Sequence, residues 1–208
     1  MAYIGKIPAA TAITASDLDP TVITGQTALA TSPADTDEFL ISDAGVLKRL
    51  DASLIGGGKV LQVIQAVKRD TQSFSGSNAY QAITGLSLAI TPSATSSKIL
   101  ITSTVHAHIA DYTGGVSLYR GGSQVITHSE SIGSRINVNS STRTGDNNVI
   151  SAMSFQYLDS PSSTSELTYQ MYLYCRSSTY YLNRSSADSD DNDHARTISA
   201  ITAMEIGA

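Results

Sequence analysis

Between Lys98 and Ala110 every second residue is apolar or small: Ile99, Ile101, Val105, Ala107 and Ile109 fall on one parity, and Lys98, Thr102, Thr104, His106 and His108 on the other. A period of two belongs to an extended strand with one buried face and cannot make a helical stripe. The pattern recurs. Leu167, Tyr169, Met171, Leu173 and Cys175 oppose Thr168, Gln170, Tyr172 and Tyr174. Val149, Met153, Phe155 and Tyr157 share a face, and Ile198, Ala200, Met204 and Ile206 repeat the alternation near the end of the chain. Further strands are expected at Val60–Val67, Tyr80–Ile90, Thr179–Arg184, and Gly115–Arg120 with Gln124–His128 across the Gly121-Gly122 turn. No segment carries a helical stripe. Ser and Thr fill 53 positions and only 15% of residues are charged, a composition that favours strands because hydroxyl side chains compete with the backbone inside helices. The expected class is all-β: an antiparallel, jelly-roll-like sandwich of about eight or nine strands.

The chain changes character at Gly56-Gly57-Gly58. Residues 1–58 hold two of the thirteen aromatics and three basic groups against seven acidic ones. So small and poorly apolar a piece barely offsets its own ordering entropy. It reads as an attachment region, with an Ala/Thr-rich extended arm over 1–37. A β-hairpin follows, in which Glu38–Ser42 and Val46–Leu50 flank Asp43-Ala44-Gly45, a three-residue loop closing on Gly. Residues 59–208 form the domain.

The net charge of −5 argues against a nucleic-acid partner. No apolar run approaches the ~18 residues of a membrane-spanning helix, so membrane insertion is not expected. The opening residues lack a secretory h-region, and Asn139-Ser140-Ser141 and Asn183-Arg184-Ser185 are therefore not taken as glycosylation sites. The single Cys175 lies on an apolar strand face and reads as a core residue. Gly58-Lys59 fails as a phosphate loop because Ser53 and Val60 stand where Gly and Ser/Thr are required. Nor is there a Gly-x-Ser-x-Gly elbow. No catalytic residue, cofactor or metal is expected, although two side-chain groups have the right chemistry for a cation. His106 and His108 share one strand face, as metal ligands or simply as polar surface. Asp188, Asp190, Asp191 and Asp193 lie in one polar loop, either as oxygen ligands or as a solvated connection. Four tyrosines within ten residues (Tyr172, Tyr174, Tyr180 and Tyr181) suggest a subunit interface, where Tyr gives large contact area at low entropy cost.

Several stretches resemble a known family. Pro33-Ala34-Asp35-Thr36-Asp37-Glu38-Phe39-Leu40-Ile41-Ser42-Asp43-Ala44-Gly45-Val46-Leu47-Lys48-Arg49-Leu50 is similar to a segment of virion fibre proteins from phages of marine bacteria, cyanobacteria included. So are Gly58–Val63, Ile90-Thr91-Pro92-Ser93 with Ser96–Ile101, Tyr181–Ser185, and the closing Thr202–Ala208. The resemblance implies a homotrimer in the virion, with an arm at 1–37 bound to another particle protein and a TNF- or C1q-like head that meets host-surface glycan or protein. Within that frame the polar loops are the expected receptor contacts: Asp111 and Tyr112, Arg135 and Arg143, and the four aspartates of 188–193. Tail fibre or spike is the first reading, head fibre or capsid decoration the alternative, and a polysaccharide-degrading fibre a third, disfavoured by the scarcity of paired carboxylates.

Overall fold

The computed structural model describes residues 27, 33–34, 36–44, 46–55, 59–110, 112–130 and 132–207. The arm at 1–37 and Asp111, both singled out above, lie wholly or mostly outside them. The chain divides into two units, Met1–Gly56 and Gly57–Ala208.

The first unit contains the hairpin. β1 (Glu38–Asp43) and β2 (Val46–Asp51) pair antiparallel from Glu38↔Asp51 to Asp43↔Val46, and a single 3-10 turn follows at Ala52–Leu54. The loop is one residue shorter than expected: Asp43 joins the ladder, and Ala44 takes the left-handed conformation (φ 51°). Arg49 pairs with Glu38 at 2.8 Å and Lys48 with Asp43 at 2.5 Å. Phe39, Leu40, Val46 and Leu54 remain exposed, so the hairpin has little apolar burial to hold it.

The second unit is the sandwich: β3 (Val60–Lys68), β4 (Gln72–Phe74), β5 (Ala79–Ile90), β6 (Lys98–His108), β7 (Gly114–Arg120), β8 (Ser123–Gln124), β9 (Ser140–Thr142), β10 (Ser151–Asp159), β11 (Leu167–Cys175), β12 (Tyr180–Leu182) and β13 (Ser199–Ile206). In layer one, β13 and β12 lie end to end along one edge of β6, with β3 and β4 beyond them and β10 on the other edge. In layer two, β5, β11 and β7 are neighbours, and β8 and β9 share the free edge of β7. Taking each end-to-end pair as one ribbon and counting along the chain, the layers read 1-8-3-6 and 2-7-4-5. First pairs with last, and consecutive ribbons alternate between layers except 4 and 5, which are neighbours in layer two; this is the winding of a jelly roll. The expected fold class is the observed one.

The core is the space between the layers. Ile99, Ile101, Val105, Met153, Ile201 and Ala203 meet Ile83, Leu86, Val116, Leu118, Tyr169, Met171, Leu173 and Cys175 there, all buried. Each fully buried Leu or Ile contributes roughly 1.5–3 kcal/mol. The strands from 98 and 166 face inward as their alternation predicts.

Three expectations are corrected. On β13 the inward set is Ser199, Ile201, Ala203 and Glu205, while Ile198 is exposed and Ala200, Met204 and Ile206 point outward. Both parities of this strand are partly apolar, and the inward one is admitted because its polar members are satisfied. Ser199 Oγ donates to Asn183 Oδ1 (2.6 Å), and Glu205 accepts from Ser93 N (2.7 Å), Ser93 Oγ (2.6 Å) and Gln62 Nε2 (2.6 Å). The second correction concerns Gln124–His128, which yields only the two-residue β8, with 140–142 pairing on the same edge. The third is the tyrosine group. Tyr180 is 0% exposed in the core, Tyr174 is buried with its hydroxyl on Asn78 Oδ1, and Tyr172 stacks on Tyr119 with ring centroids 4.0 Å apart. Tyr181 sits in the other layer beneath the Arg184 guanidinium (4.0 Å). The four do not form one face, and Tyr174 and Tyr180 are already buried within the chain.

Candidate ligand-binding end of the sandwich

Strand directions give the domain two distinct ends. The chain arrives at Lys59, whose carbonyl accepts from Gly207 N (2.8 Å), beside the start of β6 and the end of β13. At the opposite end lie the exit of β6, the β6–β7 connection, the segment before β10, the β11–β12 turn and the loop between β12 and β13. Of the described loop residues named from sequence, Tyr112, Arg143 and the aspartates of 188–193 belong to those far-end connections, and Arg135 joins Tyr112 and Arg143 in lining one hollow.

That hollow has a volume of about 640 Å³ and is lined by Arg135, Arg143, Arg176, Tyr112, Tyr174 and Asn78, with Thr113, Ser134 and Ile136 completing it. Its walls are held by backbone. Thr144, next to Arg143, donates its N–H and its Oγ1 to the Ile109 carbonyl (2.9 and 3.0 Å) and accepts Ile109 N–H at Oγ1 (3.2 Å). Asn78, with φ 54°, donates its N–H to the Arg176 carbonyl at 2.8 Å. Asn137 O anchors the neighbouring segment by accepting from Tyr80 Oη (2.6 Å), Gln124 Nε2 (2.8 Å) and Ser117 Oγ (3.2 Å). The Arg176 guanidinium lies 4.6 Å from the centre of the Tyr112 ring, a cation–π contact that orients both. Gly114, beside the hollow, is required by space: a Cβ there would sit 2.6 Å from the Tyr180 ring.

Sequence reading found Tyr112, Arg135 and Arg143 but not Arg176 or Asn78. The available signal was antiparallel order: the end of β11 must return beside the start of β7, where Tyr174 pairs with Gly115.

The acidic residues form a separate hollow of about 290 Å³. Asp188 is engaged in closing the loop, since Arg196 Nε and Nη2 donate to its two oxygens at 2.6 and 2.7 Å and Arg184 lies 3.6 Å away. Asp191 accepts from His194 at 2.6 Å, a hydrogen bond that holds its carboxyl below the usual range. Asp190 and Asp193 are exposed, with no side-chain partner among the described residues.

His106 Nδ1 donates to the Ile198 carbonyl (2.7 Å), and His108 is buried with Nδ1 against Val149 O (3.0 Å) and Thr144 Oγ1 (3.1 Å). Among the described residues no three His, Cys, Asp or Glu side chains are placed to hold a metal ion, and no helix is long and apolar enough to cross a membrane. Burial lifts the Cys175 thiol to about 11, so at neutral pH it is protonated and a poor nucleophile.

The outward face of layer one has a different character. Val63, Met204, Leu100 and Leu158 are in register and form an apolar row across four strands, with Val63 56% and Leu158 52% exposed. The next rows are Gln65, Thr202, Thr102 and Gln156, then Val67, Ala200, Thr104 and Ser154. None of these twelve residues is charged, and a hollow of about 460 Å³ lies over the hydroxyl-lined centre.

No family model and no curated protein matches the chain. Among solved structures it is similar to a chain in the structure of the infectious bursal disease virus Gx strain, with 9% identity over 79% of this chain and 42% of that one, at a TM-score of 0.35. It is also similar to the infectious bursal disease virus VP2 subviral particle, with 12% identity over 80% of this chain and 41% of that one, at a TM-score of 0.31. The chain spans about two fifths of the length of these neighbours, and at such scores the likeness transfers neither fold nor role.

Proposed function

We propose that the chain is a non-enzymatic structural component of a virus particle, a homotrimeric tail fibre or spike whose residues 1–37 bind another virion protein and whose jelly-roll head meets the host surface. The observation that carries this reading is the polarity of the head: the chain arrives at one end, and the long polar connections, with several charges unpaired among the described residues, lie at the other. The motif resemblance from Pro33 onward supports the same role. The outer face of layer one is where copies meet. It is uncharged over three successive rows and crossed by an apolar row, the composition of an interface core, and rotational symmetry brings the same patch of each copy to the axis.

Light scattering on the full chain is expected to give three times 21.8 kDa, and Leu158→Glu, which places a charge in the apolar row, to give monomer with an unchanged fold. A monomeric parent removes the trimer. Cryo-microscopy of the particle tests position: density at the tail supports the fibre or spike, and density on capsid faces replaces it with a head fibre or decoration protein.

A further inference from the structure

The chain has eight arginines; Arg69 has no acidic partner among the described residues and lies outside the hollow, and the other seven fall into two groups. Arg49, Arg120, Arg184 and Arg196 each pair with a carboxylate. Arg135, Arg143 and Arg176 have no acidic partner among the described residues, and these three line one hollow. Among its described lining residues there is no carboxylate. In a chain of net charge −5, three like charges around one concavity repel one another, and an anion bound between them removes that cost. Guanidinium forks match the planar geometry of carboxylate and the tetrahedral oxygens of sulfate.

The rest of the lining suits a ring-shaped polar ligand. Tyr112 is 44% exposed and offers a flat face steadied by Arg176, while Asn78, Thr113 and Ser134 supply neutral hydrogen-bonding groups. A volume of about 640 Å³ falls within the range of small-molecule sites and accommodates a few sugar units. We infer that this hollow binds an acidic glycan, a short saccharide carrying a sulfate ester or a carboxylate, with Arg143 and Arg176 on the anionic group and Tyr112 against the ring. The inference rests on the host-contact reading above and gives it a ligand class.

Calorimetric titration of the full chain at low salt tests it with five probes: a κ-carrageenan tetrasaccharide (sulfated), a guluronate tetramer (carboxylated), maltotetraose (neutral), sodium sulfate and oligothymidylate. At least one acidic tetrasaccharide is expected to bind, more tightly than sodium sulfate and weakening as salt is raised, with maltotetraose silent. Arg143→Ala and Arg176→Ala are each expected to weaken that binding about tenfold, and Arg176→Lys to recover part of it. Both positions are exposed with no carboxylate partner among the described residues, and an unchanged melting curve confirms that each variant folds. Silence with both acidic sugars, equal binding of maltotetraose, sulfate alone binding as tightly as the sugar, tighter binding of oligothymidylate, or full affinity in the Arg143→Ala/Arg176→Ala double variant each overturns the inference. Failure of the wider reading appears elsewhere, as a monomer or as absence from the particle, and leaves the titration result standing.

Discussion

The two ends of the sandwich treat charge in opposite ways. At the near end, beside Lys59, two carboxylates are buried and fully occupied. Asp159 accepts from Arg120 Nη1, Tyr169 Oη (2.6 Å) and Ser160 N (2.9 Å), tying β10 of layer one to β7 and β11 of layer two. Burial and the adjacent carboxylate push the Tyr169 hydroxyl well above its ordinary value, so it stays a donor. Glu205, 1% exposed, is held by Ser93 and Gln62. At the far end Arg135, Arg143, Arg176, Asp190 and Asp193 are exposed and unpaired among the described residues. Buried polar groups are tolerated only when every member is satisfied, so the near end is a fastening. The far end, beside the paired Asp188 and Arg196, keeps charges that have no ionic partner among the described residues and are available to a ligand.

The difference breaks most visibly at Asp159. Asp159→Ala strands Arg120 and the Tyr169 hydroxyl at the layer boundary and is expected to cost about 3–5 kcal/mol, read as a fall in the urea midpoint. A loss under 1 kcal/mol would show that the two layers are not fastened there. Glu205 comes next. Burial alone would raise its pKa, but the hydrogen bonds from Ser93 and Gln62 outweigh it and pull the carboxyl down to about 2. Its contribution is therefore complete above its ordinary value near 4.5 and is lost as pH falls from there towards 2. Glu205→Ala is expected to cost about 2–3 kcal/mol at pH 7, and Glu205→Gln to flatten the acid limb of the melting-temperature profile between pH 5 and 2. An unchanged limb would reassign it to other carboxylates. The smallest effect belongs to the far end: Arg143→Ala is expected to change stability by no more than about 0.5 kcal/mol, and a larger loss on thermal unfolding would mean that this end, too, is a fastening.

This contrast was only half legible in the sequence. Polarity and length marked the connections carrying Tyr112, Arg135, Arg143 and the aspartates of 188–193, and alternation marked the strands and, at 98–110 and 166–175, the correct face. Alternation could not assign β13, because Ile198, Met204 and Ile206 on one parity compete with Ile201 and Ala203 on the other. The decision lies in partners far along the chain: Gln62 and Ser93 admit Glu205, and Asn183 admits Ser199. Tyr180 misled for a related reason. A tyrosine is outward-facing by default only while its hydroxyl lacks an internal acceptor, and here the Tyr112 carbonyl lies within reach at 3.4 Å. Arg176 carried no local pattern at all, since its significance comes from the tertiary meeting of the β11–β12 turn with the connection that bears Tyr112.

The loop between β12 and β13 closes at its neck. Arg184 and Arg196 form an isolated bridge, Thr197 N–H donates to the Asn183 carbonyl at 3.1 Å, and Asn183 itself is clamped by the Lys68 and Asp70 carbonyls and by Ser199. Strands on either side therefore do not depend on what the tip contains. Doubling such a loop costs only about 0.6 kcal/mol in closure entropy, and exposed tips are where insertions are tolerated. The neck makes the stretch from Ser189 to Asp193 a replaceable cassette, open to rapid sequence drift or deliberate grafting while the head keeps its shape.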